Sequence, residues 1–440
     1  MRQDIHCWNR IPSVAHARVE MLTLNSAPLP RLGEHETCLV YGNGRSYGDV
    51  CLNPGQTLLL ARGLDRFISF DAQTGRLTCE PGVLLGEILD LVVPMGWFLP
   101  VTPGTRLATV GGAIANDVHG KNHHAAGSFG DHVLNLELVR SDGERLRCAP
   151  DENADMFAAT IGGLGLTGLI ARAELQLAPI SNAFMITQDR RFRSLDEFWE
   201  LNSRAEAEWP YTVSWIDCTS STGRGILFSG AHAPSQAGVL PTWRETRRRF
   251  PLDLPVSLIN QQSVKAFNFA CYHRPRTSGR KVKHYIPYFY PLDSIEWWNR
   301  IYGRKGFFQY QCVLPLASAK AGISELLAAV STSRTGSFLA VLKTFGARSP
   351  RGILSFPRPG ATLALDFPNL GETTMRLFER LDAIVRESGG ALYAAKDARM
   401  SGEMFRLSYR DWEKFMAFTD PKFSSGFWRR VTESAGARKL

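Results

Sequence analysis

No stretch of this 440-residue chain approaches the roughly 20 consecutive apolar residues that a helix needs to cross a bilayer. Its first residues, MRQDIHCWNRIPSVAHARVE, lack the apolar core of a secretion signal. The chain therefore reads as soluble and cytoplasmic. Cysteines are present (Cys7, Cys38, Cys51, Cys79, Cys148, Cys218, Cys271 and Cys312), but no two are spaced as C-x-x-C. That excludes the usual zinc spacing and a disulfide framework, and leaves reduced, buried thiols. Internal repeats and low-complexity tracts are missing, as is any dedicated nucleic-acid-binding module, so no nucleic-acid partner is expected. With 44% hydrophobic and 21% charged residues the chain is globular, and its length predicts two domains.

Charge is unevenly spread. The net charge is +9, and two dense basic clusters carry much of it: Arg244 with Arg247, Arg248 and Arg249, then Arg274, Arg276, Arg280, Lys281 and Lys283. Apolar runs flank both, Phe250 to Val256 and Val264 to Phe269. Such a surface suits either a peripheral contact with an anionic membrane face or an ordinary solvated loop.

Residues 57–101 read as short strands (Thr57–Ala61, Arg66–Phe70, Arg76–Cys79) followed by an apolar helix near Leu84–Val93. Asp142-Gly143 joins two alternating runs, Leu134–Arg140 and Glu144–Cys148, and predicts a hairpin. A further strand, Ile170–Leu177, is closed by Pro179. Ser194 with Glu197 predicts a capping box opening a helix toward Trp209. Segments Tyr211–Ile216, Phe308–Pro315, Ala317–Val330, Phe338–Phe345 and Thr362–Phe367 then alternate strand and helix. Glu372–Ser388 is an amphipathic helix with Met375, Phe378, Leu381, Ile384 and Val385 on one face, ended by Gly389-Gly390. The order predicts an α+β fold, not a regular βαβ series.

Three glycine-rich loops carry the chemistry: Tyr41 to Asp49 (YGNGRSYGD), Val101 to Val133, and Ile161 to Ile170 (IGGLGLTGLI). Glycine lets a backbone approach a flat, charged group closely. Gly42, Gly44 and Gly48 can present successive amides as a concave nest for a pyrophosphate, with the Ser46 hydroxyl beside them. Gly111 and Gly112 open a short helix, another place where anions are stabilised. Together the loops predict one large, phosphate-bearing cofactor held mainly by backbone. His119, His123 and His124 invite a metal reading, but no carboxylate or cysteine stands at ligand spacing, so no metal is expected.

GNGRSYGD, PGT followed by TVGGAIANDVHGKNHHAAGSFG, and GGLGLTG resemble the flavin-binding oxidases of the vanillyl-alcohol oxidase fold. Within that fold the sequence is most similar to the decaprenylphosphoryl-β-D-ribose 2′-oxidase family. The likeness continues through Phe308-Gln-Tyr-Gln, Val341-Leu-Lys-Thr-Phe-Gly, Ser355-Phe-Pro-Arg-Pro-Gly and Tyr393-Ala-Ala-Lys-Asp-Ala-Arg, and is weakest over residues 185–285. It implies a two-domain α+β flavoprotein. A PCMH-type FAD-binding domain would span residues 1–182, completed by 391–440, with a sheet-and-helix substrate domain over 183–390. By motif, FAD would be lined by Gly42, Asn43, Gly44, Arg45, Ser46, Tyr47, Gly48 and Asp49. Pro103, Gly104, Thr105, Thr109, Val110, Gly111, Gly112, Asn116, His119, Gly120 and Asn122 would follow, then Gly165, Leu166, Thr167, Gly168, Ile170 and Tyr393. Tyr47, His119, Lys121, Gln309, Gln311, Lys343 and Lys396 would face the flavin ring and the sugar.

Two departures stand out. Many relatives in this fold carry a histidine in the first loop that bonds covalently to the flavin; here the position is Arg45, so FAD is expected to be non-covalent. Close mycobacterial-type members have Asn-x-Cys before Asp-Phe-Pro, where this chain reads Thr362-Leu-Ala364.

The resemblance implies oxidation of the ribose 2′-hydroxyl of a polyprenyl-phosphate sugar, with quinone or oxygen as electron acceptor. A short-chain dehydrogenase/reductase would then reduce the keto product, giving net epimerisation to an arabinose lipid of the cell wall. Oxidising a secondary alcohol removes a proton from oxygen as well as a hydride from carbon. His119, with an ordinary value of about 6.5, needs little adjustment to act as the base, whereas a lysine at about 10.4 must be strongly depressed. The family gives Lys396 an equal claim. An aldonolactone or polyol oxidase of the same fold and a non-catalytic FAD-binding protein are the alternatives.

Overall fold

A computed structural model of the chain describes residues 5–432 apart from 236–241, 275–278, 334 and 338. Arg276 and Phe338 thus lie outside the described residues. Among the described residues three larger sheets organise the chain, beside two two-stranded pairs. The first is parallel, in the order Arg18–Met21, Thr57–Leu60, Cys38–Tyr41. The second is antiparallel and five-stranded, in the order Phe67–Asp71, Arg76–Cys79, Leu169–Gln176, Val133–Val139, Arg145–Cys148. The expected hairpin is there: Val139 pairs with Arg145 across a turn in which Gly143 has φ +91°. Helix Leu85–Val92 buries Leu85, Ile88, Leu89 and Val92 in the core shared with this sheet.

The third sheet is antiparallel throughout and positions the site. Its eight strands run in the order Lys281–His284, Phe184–Phe192, Gly225–His232, Tyr211–Ile216, Ala340–Phe345, Gly360–Pro368, Phe307–Leu314, Ala391–Leu392. The strands Phe184–Phe192, Gly225–His232 and Lys281–His284 come from the stretch where the family likeness is weakest. Helices Leu195–Glu208, Leu316–Thr332 and Glu372–Glu387 share one core with Phe308, Tyr310, Cys312, Leu314, Leu363, Leu365 and Phe367. Successive strand residues point to opposite faces, so Gln309, Gln311, Thr362, Ala364 and Asp366 turn the other way.

Helix ends obey local chemistry. Ser194 Oγ accepts from the Glu197 N–H at 3.3 Å, but the Glu197 carboxylate accepts from the N–H of Arg193, 2.6 Å away; the box closes one residue earlier than expected. After Glu372–Glu387, Gly389 takes φ +67°. The Gly390 and Gly389 amides then donate to Val385 O and Arg386 O at 2.8 and 3.0 Å, a Schellman closure.

The chain's last helices return to its beginning. Cys38 N–H donates to Lys422 O at 2.7 Å and Gly426 N–H to Leu52 O at 2.8 Å. Arg430, on helix Gly426–Thr432, lies 2.7 Å from Asp49 and 3.1 Å from Asp397. Among the described residues no helix is long and apolar enough to cross a membrane.

Candidate active site

A cavity of about 850 Å³ opens between the glycine loops and the bare face of the eight-stranded sheet. The first loop leaves strand Cys38–Tyr41 and folds against the turn Tyr393–Asp397. Tyr47 N–H donates to Ala395 O at 2.9 Å, and Gly48 N–H donates to Asn9 Oδ1 at 2.9 Å. Gly48 has φ +65°, and a Cβ there would stand 1.8 Å from the Asp397 carbonyl oxygen, so only glycine allows the approach. This docking carries Lys396 over the Tyr47 ring, 4.3 Å from its centroid.

Between Gly42 and Gly48 the chain has a row of open donors. Among the described residues, the backbone N–H groups of Asn43, Gly44, Arg45 and Ser46 reach no protein acceptor, and all four residues line the cavity. That is the nest an anion fits. Arg45 stacks its guanidinium on Trp8 at 4.4 Å, and its buried Nε lacks a partner.

Helix Val110–Ala115 behaves otherwise than expected. Its leading amides are already spent: Val110 N–H on Val83 O at 2.9 Å, Gly111 N–H on Pro81 O at 2.8 Å, and Gly112 N–H on Thr109 Oγ1 at 3.2 Å. The helix start is therefore no open anion site, and its glycines serve close packing. A Cβ on Gly111 would sit 2.9 Å from the Pro81 Cβ.

Other expected contacts also stop short of the cavity wall. Leu166 and Val110 are wholly buried in the cores. Thr167 Oγ1 is 3.0 Å from Thr160 Oγ1. Asn122 Nδ2 donates to Pro100 O at 2.7 Å, Asp49 is paired with Arg430, and Gly48 lies beneath Asp397. These residues shape the wall from behind. Gly42, Pro103, Gly104, Thr105, Thr109, Gly111, Gly112, Asn116, His119, Gly120, Gly165, Gly168, Ile170 and Tyr393 reach it.

The sheet supplies the facing wall as a grid. Gln309 is paired across strands with Asp366 and Gln311 with Ala364; Lys343 is paired with Thr362 and Val341 with Ala364. Lys343 Nζ lies 2.7 Å from His119 Nδ1 and donates to Gly120 O at 2.7 Å. The Gln311 amide lies 3.0 Å from His119 Nε2. The same Gln311 Nε2 donates to Thr362 Oγ1 at 3.2 Å, and because a neutral imidazole carries one N–H and one acceptor nitrogen, the His119 tautomer decides which of its two neighbours donates to it. Burial, then the Lys343 charge, holds His119 well below the usual histidine range. The histidine is thus engaged at both ring nitrogens.

The HGKNHH run is split. His119, Gly120 and Lys121 face the cavity. His123 accepts at Nδ1 from the Gly346 N–H at 3.2 Å, and burial brings it down to about 3. His124 Nε2 is 3.1 Å from Trp209 O. Lys121 donates to Phe289 O at 3.0 Å, and burial, reinforced by Lys283, lowers it to about 8. Lys343 is pushed well below the ordinary lysine value, first by burial and then by Lys121 and Lys396. Burial also lowers Lys396, against an opposing pull from Asp366.

Sequence reasoning passed over Asp366, which is fully buried yet lines the cavity. Gln309 Nε2 donates to its Oδ1 at 2.5 Å. Its signal was an aspartate at the inward positions of the apolar strand run LALDF, where a carboxylate is costly to bury. Trp8, Trp297 and Trp298 at the wall likewise had no motif to announce them.

Residues 33–149 match the family model described as FAD binding domain. The decaprenylphosphoryl-beta-D-ribose oxidase of Mycolicibacterium smegmatis is 36% identical over 407 residues, covering 89% of this chain and 88% of the relative. An uncharacterized protein of Streptomyces coelicolor is 32% identical over 376 residues, covering 79% of this chain and 100% of the relative. Similarity to the D-arabinono-1,4-lactone oxidase of Yarrowia lipolytica, at 26% identity, is confined to 190 residues, 41% of this chain and 36% of that enzyme.

Proposed function

This chain belongs to the decaprenylphosphoryl-β-D-ribose oxidase family of FAD-binding oxidoreductases, and from that premise we propose that it oxidises the 2′-hydroxyl of a polyprenylphosphoryl-β-D-ribose to the ketone. The observation that carries this reading is the two-walled cavity. Open amides of Asn43 to Ser46 lie on one side, and the row Gln309, Gln311, Lys343 and Asp366, with Lys396 and Lys121 at its edges, on the other. The nest fits the FAD pyrophosphate, and with Arg45 where a histidine would be needed the cofactor is held non-covalently. We take residues 1–182 with 391–440 as the FAD-binding unit and 183–390 as the substrate unit.

When bound, FAD supplies a two-electron acceptor for the hydride on the alcohol carbon. The chain's task is the rest. Lys121 and Lys343 offer N–H donors to a substrate phosphate, whose negative charge favours their ammonium forms. Gln309 and Gln311 orient sugar hydroxyls. Lys396 takes the hydroxyl proton: it lies beside Tyr47, and its depressed basicity leaves a larger neutral fraction near physiological pH than an exposed lysine has. His119, engaged at both ring nitrogens, positions Lys343 instead.

The ketone is then a substrate for a short-chain dehydrogenase/reductase, completing an epimerisation toward the arabinose lipid, and a quinone or oxygen reoxidises the flavin. A lipid-borne substrate also places the enzyme against the inner membrane face. The test is anaerobic titration of the purified flavoprotein with a short-chain polyprenylphosphoryl ribose. Bleaching of the main flavin band, with FAD released intact by acid, is expected. Bleaching by an aldonolactone in its place would overturn the lipid-sugar reading.

A further inference from the structure

Asp366 is the single acidic side chain that the eight-stranded sheet contributes to the cavity wall among the described residues. It has no exposed surface. Its backbone N–H is anchored to Ser337 Oγ at 2.9 Å, and Gln309 holds Oδ1 at 2.5 Å. Its Oδ2 is buried without a hydrogen-bond partner. Leaving a buried carboxylate oxygen unsatisfied is expensive, and folding alone gives no reason for it. An apolar side chain would complete the strand at no such cost.

Asp366, Tyr47 and Lys396 line the same cavity, with Lys396 4.3 Å from the Tyr47 ring centroid, and the carboxylate acts on both and on Tyr302. Tyr47 comes from the first glycine loop, Tyr302 from the segment before strand Phe307–Leu314, and Lys396 from the turn after Ala391–Leu392. Lys396 is the one cation among them. Lys396 in turn disfavours a positive charge on Lys343 and His119. Apart from the Tyr47 ring face beside it, Asp366 is the group that favours an ammonium at Lys396.

We propose that Asp366 is the positioning residue for Lys396: its carboxylate draws the amine into the cavity and stabilises the ammonium formed when Lys396 takes the substrate's hydroxyl proton. This rests on the assignment of Lys396 as proton acceptor. In the step the O–H bond breaks and an N–H bond forms at Nζ. The O–H electron pair becomes the second C–O bond as the carbon gives its hydride to the bound FAD. Asp366 ends with the protons it began with. Burial raises Asp366 above the ordinary carboxylate range, opposed by Gln309 and Lys396, and Asp366 in turn raises Lys396 against burial. Removing the negative charge must therefore lower the basicity of Lys396.

The experiment uses the FAD-loaded enzyme reductively methylated with 13C-formaldehyde. The Lys396 signal is assigned by its loss in Lys396→Arg and titrated by NMR in wild type and in Asp366→Asn. We expect the Lys396 midpoint to fall by about one pH unit or more in Asp366→Asn, the scale of a nearby opposite charge. The rising limb of anaerobic flavin reduction should move to lower pH by the same amount. An unmoved midpoint, with activity merely reduced at every pH, would overturn the proposal. If Asp366→Asn does not retain FAD, the wild-type titration decides: a second inflection in the Lys396 signal at the carboxylate's own midpoint is expected, and a single inflection overturns it. Should Lys396→Met reduce flavin at the wild-type rate, the assignment of Lys396 fails. A silent Lys396→Met arm and an unmoved Asp366→Asn midpoint are thus distinguishable failures.

Discussion

At the scale of single residues, the site concentrates cations that burial has made reluctant to stay charged. Lys121, Lys343 and Lys396 all fall below the ordinary lysine value, so each is nearer its neutral form than an exposed lysine, and a bound anion would favour the charged form. For Lys396 the sign is definite. A base works in its neutral form, so the flavin-reduction rate should rise with pH through a midpoint below the usual lysine value of about 10.4. Lys396→Met should cost on the order of 10²–10⁴ in that rate, the range of a lost general base, and remove the limb; stopped-flow reduction across pH checks both. Lys343→Met should instead raise the midpoint of His119, because the Lys343 charge is the second cause of its depression. Burial, the first cause, stays and keeps it below the ordinary histidine value. The His119 ring-proton shift against pH measures this. Gln309, Gln311 and Lys343 were legible because the runs Phe308-Gln-Tyr-Gln and Val341-Leu-Lys-Thr-Phe-Gly resemble the family's, although they lie on two different strands. Asp366 was not, because LALDF reads as an apolar strand ending in a turn, and only cross-strand register shows that its carboxylate meets Gln309.

At the scale of elements, what was legible followed from local chemistry. Helix Glu372–Glu387 announces itself by its 3.6-residue period and its closing glycines, and the hairpin by Asp142-Gly143. Strands Arg18–Met21 and Cys38–Tyr41 are four residues each and gain their ladder from Thr57–Leu60, so no local pattern reveals them. Strand Phe184–Phe192 carries Asp189, Arg190 and Arg191 before its last residue, which blunts its alternation. The glycines of Val101 to Val133 were visible, but whether the helix at Val110 offers its amides to a ligand depends on Pro81 and Val83, which sequence spacing does not bring together. A comparison of two glycines tests how tightly the first loop is built. At Gly48 an added Cβ meets backbone at 1.8 Å, whereas at Gly143 it meets nothing within 4 Å, though both have positive φ. Gly143→Ala should cost only the left-handed penalty of roughly 1–2 kcal/mol and keep FAD. Gly48→Ala should cost more and release FAD, because the Tyr393–Asp397 turn must move. Thermal melts and flavin retention through gel filtration separate the two.

At the scale of the whole molecule, a lipid-borne substrate poses a problem of geometry: the sugar must enter the cavity while the polyprenyl tail stays in apolar surroundings. The surface beside the cavity suits that division. Ile295, Glu296, Trp297 and Trp298 line the wall, and the short strand Arg248–Arg249 pairs with Ile295–Glu296. The chain continuing from it leaves Leu252 68%, Val256 69% and Leu258 50% exposed. Backbone bonds from Leu258 to Ile301 and from Arg304 to Leu254 tie this segment to the same wall. Helix Gln261–His273, next along the chain, adds Phe267 and Phe269, 48% and 60% exposed. Apolar side chains ringed by arginine are what an anionic bilayer surface attracts, each basic residue contributing about 1 kcal/mol within a Debye length of about 8–10 Å. The expected outcome is cosedimentation with vesicles rich in anionic phospholipid, weakened by salt and absent with zwitterionic vesicles. Leu252→Asp with Val256→Asp should lower the partition constant by about tenfold or more, since burying each aliphatic side chain is worth roughly 1.5–3 kcal/mol. Turnover of a water-soluble, short-chain substrate should stay unchanged, because neither residue lines the cavity. If the double variant sediments like the wild type, the apolar segment is not the contact. If it also loses turnover of the short-chain substrate, the segment supports the site from within, and the tail must leave the cavity by another side.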